Sequence, residues 1–551
     1  MRYKRADPWI GTLLVIMGTV AMMAGLSQRA VRRWAASRTP ENWCCGAFLN
    51  SHSRPAEATP RQSPKRQFVL AKYCAMHSQP ARRFKAYQCS VARTRARAFV
   101  AFAASGLMCW PMMCSGQMVS PTPQPSGVVV TPGEGEQVQP ETWAVHGQST
   151  ITWLLQPAFR SPYQGPHSLS PAANGRETID ATLYAGIRPW PGGEIWINPE
   201  VDQGFGLSNT FGVAGYPSGE AFKLGKAEPY ILVQRGFLRQ TIDLGGETEK
   251  LEPDLNQLGG TQTANRLVFT IGKYSIVDIF DTNTYAHDPR RDFLNWSIID
   301  QGAFDYAANA WGYTYGGAAE WYQDWWTIRA GMFDLSQAPN SIALSRGFAQ
   351  GQFVTELEER HTLWDQPGKL KGLYWLTRGY LGTYIAAVAL GEATGTTPST
   401  ADVRSFRTKG GFGLNLEQQL APDFGVFARA SISQGTVEEV DFTDINQSIS
   451  GGLSLTGSRW GRPDDTVGLA GAFNRISHQG KLYLAAGGPG GIIGDGQLPN
   501  SGPEQIFEAY YRLPLTSFAH FTAGYQFINH PAYNRDRGPV SVFSLQLHLQ
   551  Y

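Results

Sequence analysis

From Trp143 onward the chain alternates apolar and polar residues over stretches of about ten, broken by turn residues. In Glu177–Arg188, Ile179, Ala181, Leu183, Ala185 and Ile187 fall on one face, and Asp180, Thr182, Tyr184 and Arg188 on the other. Gly312–Trp321 and Trp325–Phe333 predict a hairpin around Tyr322-Gln323-Asp324. Its inner face carries Glu320 and Arg329, and its outer face Tyr313, Tyr315, Trp326 and Ile328. A second hairpin runs Phe412–Leu420, Ala421-Pro422-Asp423, Phe424–Ser433, with Phe412, Leu414 and Leu416 alternating with Asn415, Glu417 and Gln419. A third pairs Ile449, Leu453 and Leu455 with Val467, Leu469 and Phe473 across Arg459–Asp465. A fourth pairs Phe507, Ala509, Tyr511 and Leu513 with Phe521, Ala523, Tyr525 and Phe527, turning Glu508 and Arg512 inward. Lys369–Arg378 is ambiguous, because Leu373, Tyr374, Trp375 and Leu376 are consecutive.

Within this body no apolar run approaches the roughly 18 residues of a membrane helix. Serial two-residue alternation is instead the signature of a transmembrane antiparallel β-barrel, apolar toward lipid and polar toward the lumen. The last segment is the most specific. Phe543, Leu545, Leu547, Leu549 and Tyr551 share one face, and Ser544, Gln546, His548 and Gln550 the other. An amphipathic final strand ending in an aromatic residue looks like the recognition strand of bacterial outer-membrane proteins, with barrel-assembly machinery as its partner. The body also holds 12 Trp, 19 Tyr and 23 Phe. Trp190, Trp321, Trp326, Trp460 and Tyr551 fall near strand ends, where interfacial girdles need amphipathic rings.

Charge changes the picture for the first fifth. Residues 1–116 carry 18 Lys and Arg against 3 Asp and Glu, whereas residues 117–551 carry 29 against 42. The basic excess is confined to the leader, so a nucleic-acid-binding body is disfavoured. Cys44, Cys45, Cys74, Cys89, Cys109 and Cys114 also all precede residue 115, which excludes disulfide frameworks and Cys nucleophiles from the body. Two basic-then-apolar stretches read as targeting signals: Arg2, Lys4 and Arg5 before Ile10–Leu26, and Arg93, Arg95 and Arg97 before Ala98–Cys114. The second ends in Ser115-Gly116, predicting a mature start near Gln117, with Met76 as an alternative first residue. Residues 1–75 then read as an over-long start or, less simply, as an anchored basic extension. Three divisions follow: a leader over 1–116, a Pro-rich linker over 117–142, and the barrel over 143–551.

The body resembles the carbohydrate-selective porins of the OprB family. The resemblance is carried by Phe159–Thr178, Asn198–Ala221 and Phe280–Asp300, then by Trp460–Ala470 and Asn529–Phe543. It implies an all-β outer-membrane barrel of 16 strands with inward-folded loops, passive uptake of glucose-like sugars into the periplasm, and compatibility with a homotrimer. Residues 143–551 allow roughly 26 residues per strand, enough for about ten spanning residues and a connection. Its partners would be small carbohydrates and outer-membrane lipid, with no nucleic acid, cofactor or metal.

Sugar passage needs hydroxyl partners at a narrow point. Candidates on inferred inner faces are Arg188, Glu320, Arg329, Glu356, Glu358 and Arg360, and Asp288, Arg290 and Arg291 lie in a long connection able to fold inward. For any one of them the alternative role is an ion pair supporting the wall. Enzyme patterns are poor. There is no H-E-x-x-H pair, and Asp464-Asp465 reads as turn chemistry. Gly487–Gly496 lacks phosphate-loop spacing and reads as a flexible outer loop, while Tyr384–Thr394 suits a short loop helix. Two rivals remain: a barrel enzyme, which would need a nucleophile–base set on the rim, and a surface or periplasmic carbohydrate-binding all-β protein without a pore.

Overall fold

The computed structural model describes residues 139–221, 225–441 and 443–551. The two targeting signals, all six cysteines, the cleavage site at Gln117 and most of the Pro-rich linker lie outside the described residues.

Sixteen antiparallel strands close into one barrel. They are β1 (Trp143–Gln156), β2 (Asn174–Trp190), β3 (Gly193–Gly204), β4 (Lys226–Leu251), β5 (Gly260–Tyr274), β6 (Thr314–Gln323), β7 (Trp326–Asp334) and β8 (Gly351–Leu363). There follow β9 (Gln366–Leu381), β10 (Ser405–Ala421), β11 (Phe424–Ser433), β12 (Gln447–Gly457), β13 (Arg462–Arg475), β14 (Glu504–Thr516), β15 (Ala519–Asn529) and β16 (Val540–Gln550). Each strand pairs with its neighbours in sequence. Closure comes from β1 against β16, running from Gln148 opposite Gln550 to Leu155 opposite Phe543. A closed wall leaves no strand edge unsatisfied, which is what lets strands cross lipid.

The connections alternate in length. One rim carries tight turns, such as residues 191–192, 324–325, 364–365, 422–423 and 517–518, and the other carries long loops. Short turns mark the periplasmic side of such barrels, and long loops the outside. Two of these turns use the positive φ favoured in two-residue hairpins, at Gly192 (72°) and at Trp364 and Asp365 (53° and 58°).

The alternation seen in the sequence is the alternation of the wall. Ile187, Phe412, Leu414, Leu469, Phe507 and Leu545 are exposed outward, while Asp180, Thr182, Asn415, Glu417 and Glu508 are buried inward. The hairpin registers are as expected: Leu453 faces Leu469, and Phe507 faces Phe527. Trp143, Trp190, Trp321, Trp325, Trp364 and Trp460 ring the short-turn rim, and Tyr315, Tyr380, Phe406, Phe473 and Phe543 lie toward the long-loop rim, forming two interfacial belts. Tyr384–Thr394 is a helix, ended by Gly395 in the left-handed conformation.

Four local expectations are corrected. Tyr313 precedes β6 and lies under the Arg235 guanidinium, 5.0 Å from ring centroid to Cζ, rather than facing outward. The turn expected at Tyr322-Gln323-Asp324 sits at 324–325, so Tyr322 and Gln323 complete β6. Asp464-Asp465 belongs to β13 and not to a turn. The connection is only 458–461, and Asp465 accepts from Arg462 and the Tyr511 hydroxyl. Gly487–Gly496 lies on the long-loop side but is tucked in: Ile492 and Ile493 are buried, and the amides of Gly491, Ile492 and Ile493 donate to Asp444.

The ambiguous Lys369–Arg378 is the middle of β9. Tyr374 and Leu376 face lipid, whereas Leu373 and Trp375 face inward and are fully buried. They are apolar because something apolar packs on them. Residues 275–313, the longest connection, leave β5 and enter the barrel. Phe304 of this inner loop packs on Trp375 with the rings tilted, centroids 4.9 Å apart, and Phe280 meets Phe333 edge-on at 6.0 Å. Further along, Phe293 packs on Phe427 and Tyr510, with Ile298 and Ile299 beside it in one buried cluster. The protein's hydrophobic core is thus inside the barrel, between loop and wall.

Candidate functional site

A loop inside a barrel must satisfy its backbone polar groups without water. Here the wall does it with carboxylates. Arg235 of β4 grips Asp278 with two bonds of 2.7 Å at the loop's entry. The Asp281 amide donates to Glu356 of β8 at 2.8 Å. The Asp281 carboxylate in turn accepts from the Gln301 amide at 2.7 Å, Asn415 of β10 at 2.7 Å and Arg429 of β11 at 3.2 Å. Thr284 donates its amide and hydroxyl to Glu417 of β10, at 2.7 and 2.9 Å. The amides of Leu294 and Asn295 donate to the two oxygens of Glu508 on β14, at 2.7 and 2.9 Å. The adjoining β3–β4 loop (205–225) is held the same way, Glu504 of β14 accepting from Ala214 at 2.9 Å and Gly215 at 2.7 Å. Charge-assisted bonds of this kind are roughly twice as strong as neutral ones.

Apart from Arg235 at the entry, these anchors lie on β8 to β14, and the inner loop is drawn to that side. A cavity of about 610 Å³ remains, lined mainly by the opposite wall, β1 to β5, and also by Lys369, Lys371 and Glu417 of β9 and β10. It is lined by aromatic faces (Tyr184, Phe237, Tyr274, Tyr306) and by charged groups including Glu200, Glu220, Arg235, Arg239, Asp288 and Arg290. Burial pushes the Glu220 carboxyl well above its ordinary value, with Arg290 only partly offsetting it. At Asp288 burial also pushes upward, but Arg290 and Arg291 outweigh it and hold the carboxyl below its ordinary value.

The sequence candidates fall into three groups. Glu320, Arg329, Glu356, Glu358 and Arg360 form one network on the inner wall. Arg329 reaches Glu320 at 3.0 Å, Glu356 at 2.8 Å and Glu358 at 3.0 Å, and Arg360 reaches Glu358 at 2.7 Å. The network continues through Glu356 to the inner loop at Asp281, so it supports the loop from behind and does not present free donors to the lumen. Asp288, Arg290 and Arg291 belong to the inner loop. Asp288 and Arg290 line the cavity, with Arg290 3.3 Å from Glu220 and 3.7 Å from Asp180, while Arg291 donates to Gln550 at 2.5 Å. Arg188 is apart from both groups, at the short-turn rim, bonded to backbone carbonyls and Glu194.

The sequence reading did not single out Arg235, Arg239, Asp281, Lys371 or Glu504. Alternation can place such groups inward, but it cannot tell a lumen-lining side chain from a loop anchor.

One outcome follows for the wall network. Arg329→Gln removes the cation shared by three buried carboxylates, of which Glu358 keeps Arg360 at 2.7 Å and Lys371 at 3.6 Å. Unpairing a buried charge costs about 3–5 kcal/mol, and lumen water puts this case at the lower end. The variant should be less stable to urea, and planar-bilayer recordings should show a shift toward cation selectivity. Equal or greater stability with unchanged selectivity would refute the role.

A sequence model described as carbohydrate-selective porin, OprB family, matches residues 166–551. No curated protein is a significant match. Among solved structures, OprB of Pseudomonas putida at high pH is similar at a TM-score of 0.57 with 14% identity, covering 74% of this chain and 94% of that one. The outer-membrane channel DcaP of Acinetobacter baumannii is matched at a TM-score of 0.41 with 9% identity, over 74% of this chain and 97% of that one.

Proposed function

Because the chain belongs to the carbohydrate-selective porin family OprB, an outer-membrane channel for small sugars and not an enzyme, we propose that its sugar path is the cavity between the inner loop and the β1–β5 wall. The observation that carries this reading is that the wall carboxylates receiving the loop's amides stand on one side of the lumen. Carboxylates on β8, β10 and β14 hold the loop against one half of the lumen, and the other half stays open with aromatic faces beside paired charges. Ring faces suit the apolar side of a pyranose, and the polar groups partly replace the hydration its hydroxyls give up. Passage is downhill diffusion, so binding must be weak enough to release the sugar. Glucose-like monosaccharides fit this reading best.

Liposome swelling with a sugar series tests it. Monosaccharides should enter fastest and trisaccharides slowest. Swelling no faster than in protein-free liposomes, or swelling independent of sugar size, would overturn it.

Three further readings belong to the same proposal. The mature chain begins near Gln117. Phe543, Leu545, Leu547, Leu549 and Tyr551 form the signal read by the barrel-assembly machinery, and the barrel is compatible with a homotrimer. The first is decided by N-terminal sequencing of the outer-membrane form, where a start upstream of Met76 would reject it.

A further inference from the structure

Six of the seven connections on the short-turn rim add nothing to the lining of the cavity. The β4–β5 turn, residues 252–259, differs. Its Asp254 Oδ1 accepts from Gln550 Nε2 at 3.3 Å. β16 stands four strands round the wall from β4, an arc of about 19 Å at about 4.8 Å per strand. A turn that makes this bond cannot point away from the rim; it crosses the mouth as a chord.

Its seating is specific. Leu258 is fully buried in the lumenal cluster. Arg239 donates to the Asn256 carbonyl at 2.8 Å. Arg188 donates to the carbonyls of Glu141 at 2.9 Å, Gly259 at 3.0 Å and Leu258 at 3.3 Å, and to Glu194 at 2.8 Å. Glu141 and Gly259 are also joined directly, by the Glu141 amide on the Gly259 carbonyl at 3.0 Å and by the Gly259 amide on the Glu141 carboxylate at 2.8 Å. From the opposite side the inner loop converges on the same point, since Arg291 donates to the Gln550 side chain. Asp254, Leu255 and Asn256 line the same cavity as Asp278 and Pro289 of the inner loop.

We propose that residues 252–259 form a second, periplasmic-side constriction, that the cavity between this turn and the inner loop is a chamber holding a small sugar between two narrow points, and that Arg188 is the positioning residue that keeps the turn across the mouth. The proposal rests on the reading of this cavity as the sugar path. Arg188 acts through the turn and not as a donor to sugar hydroxyls, because its guanidinium is spent on three carbonyls and a carboxylate. Lysine, a point charge without the planar fork, cannot reproduce that set.

The test uses the full chain in planar bilayers and liposomes. Leu255→Cys places a thiol in the proposed constriction, and the unsubstituted protein, whose cysteines all precede residue 115, gives the background. A bulky charged thiol reagent should cut the single-channel conductance by half or more. Complete modification, verified by mass, with unchanged conductance would overturn the proposal. Arg188→Gln, and equally Arg188→Lys, should raise conductance, speed modification of the Leu255→Cys thiol and let larger sugars swell liposomes. Unchanged modification rate and unchanged size limit in a folded variant would reject the positioning role. If Arg188→Gln does not fold, the Leu255→Cys arm decides alone. Block of ion current by the reagent in a protein that passes no sugar would keep the constriction and refute the sugar path.

Discussion

Asp281→Ala should widen the channel severalfold in conductance and abolish its discrimination by sugar size, while the barrel stays folded. Asp281 is fully buried, and its carboxylate gathers the Gln301 amide, Asn415 and Arg429, the last two on neighbouring strands of the wall. Removing it strips Arg429 of its partner carboxylate. Such unpairing costs about 3–5 kcal/mol, which shifts the seating equilibrium of the inner loop by roughly two to three and a half orders of magnitude. The sixteen-strand ladder does not depend on that contact, so the loss appears as local release and not as global unfolding. Asp281→Asn, which keeps one acceptor oxygen, should be intermediate. Single-channel recording and swelling with trisaccharides measure both effects. Wild-type conductance with an intact size limit in Asp281→Ala would show that the loop is held by its apolar contacts alone.

Leu545→Arg should cost the barrel about 2–4 kcal/mol, because the residue is exposed outward at the middle of β16, at the depth where a cation is least tolerated by lipid. β16 is also the closing strand, so the loss falls on the seam with β1. Urea titration and heat-modified gel mobility would measure it, and unchanged stability would contradict the outward assignment. Deleting Tyr551 probes a different step. Its ring is exposed and its backbone exchanges two bonds of 2.8 Å with Gly147, so the finished barrel loses little. Assembly should suffer more: lower outer-membrane levels in cells, with near-normal stability of the fraction that folds. Normal levels would count against the terminal aromatic as a signal.

The wall was legible in the sequence because lipid and lumen demand opposite side chains. Wherever that demand holds, as in Phe412–Glu417 or Phe543–Gln550, period two survives undiluted. It fails where the inner face is covered by protein. Leu373 and Trp375 are apolar on the inside because Phe304 lies on them, so β9 lost its contrast and looked ambiguous. Tyr313 was misplaced for a related reason. Counting back from Tyr315 puts it outward, but the strand begins only at Thr314, and before it the chain still belongs to the inner loop.

The candidate site was legible as a list of inward charges and not as a set of roles. Glu356 and Glu358 sit where alternation puts them, yet nothing local says that Glu356 receives an amide 75 positions earlier in the chain. Arg188 shows the same limit, since its carbonyl partners at Leu258 and Gly259 lie 70 and 71 positions later. An ion pair or a loop anchor across such spans leaves no periodic trace.

The anchoring carboxylates also impose an order in time. The inner loop follows β5, but the wall carboxylates that receive its amides come from β8, β10 and β14, all later in the chain. The loop therefore has nowhere to settle until those strands stand side by side. The sieve is completed only after the strands that anchor it are in place, and its assembly is coupled to theirs.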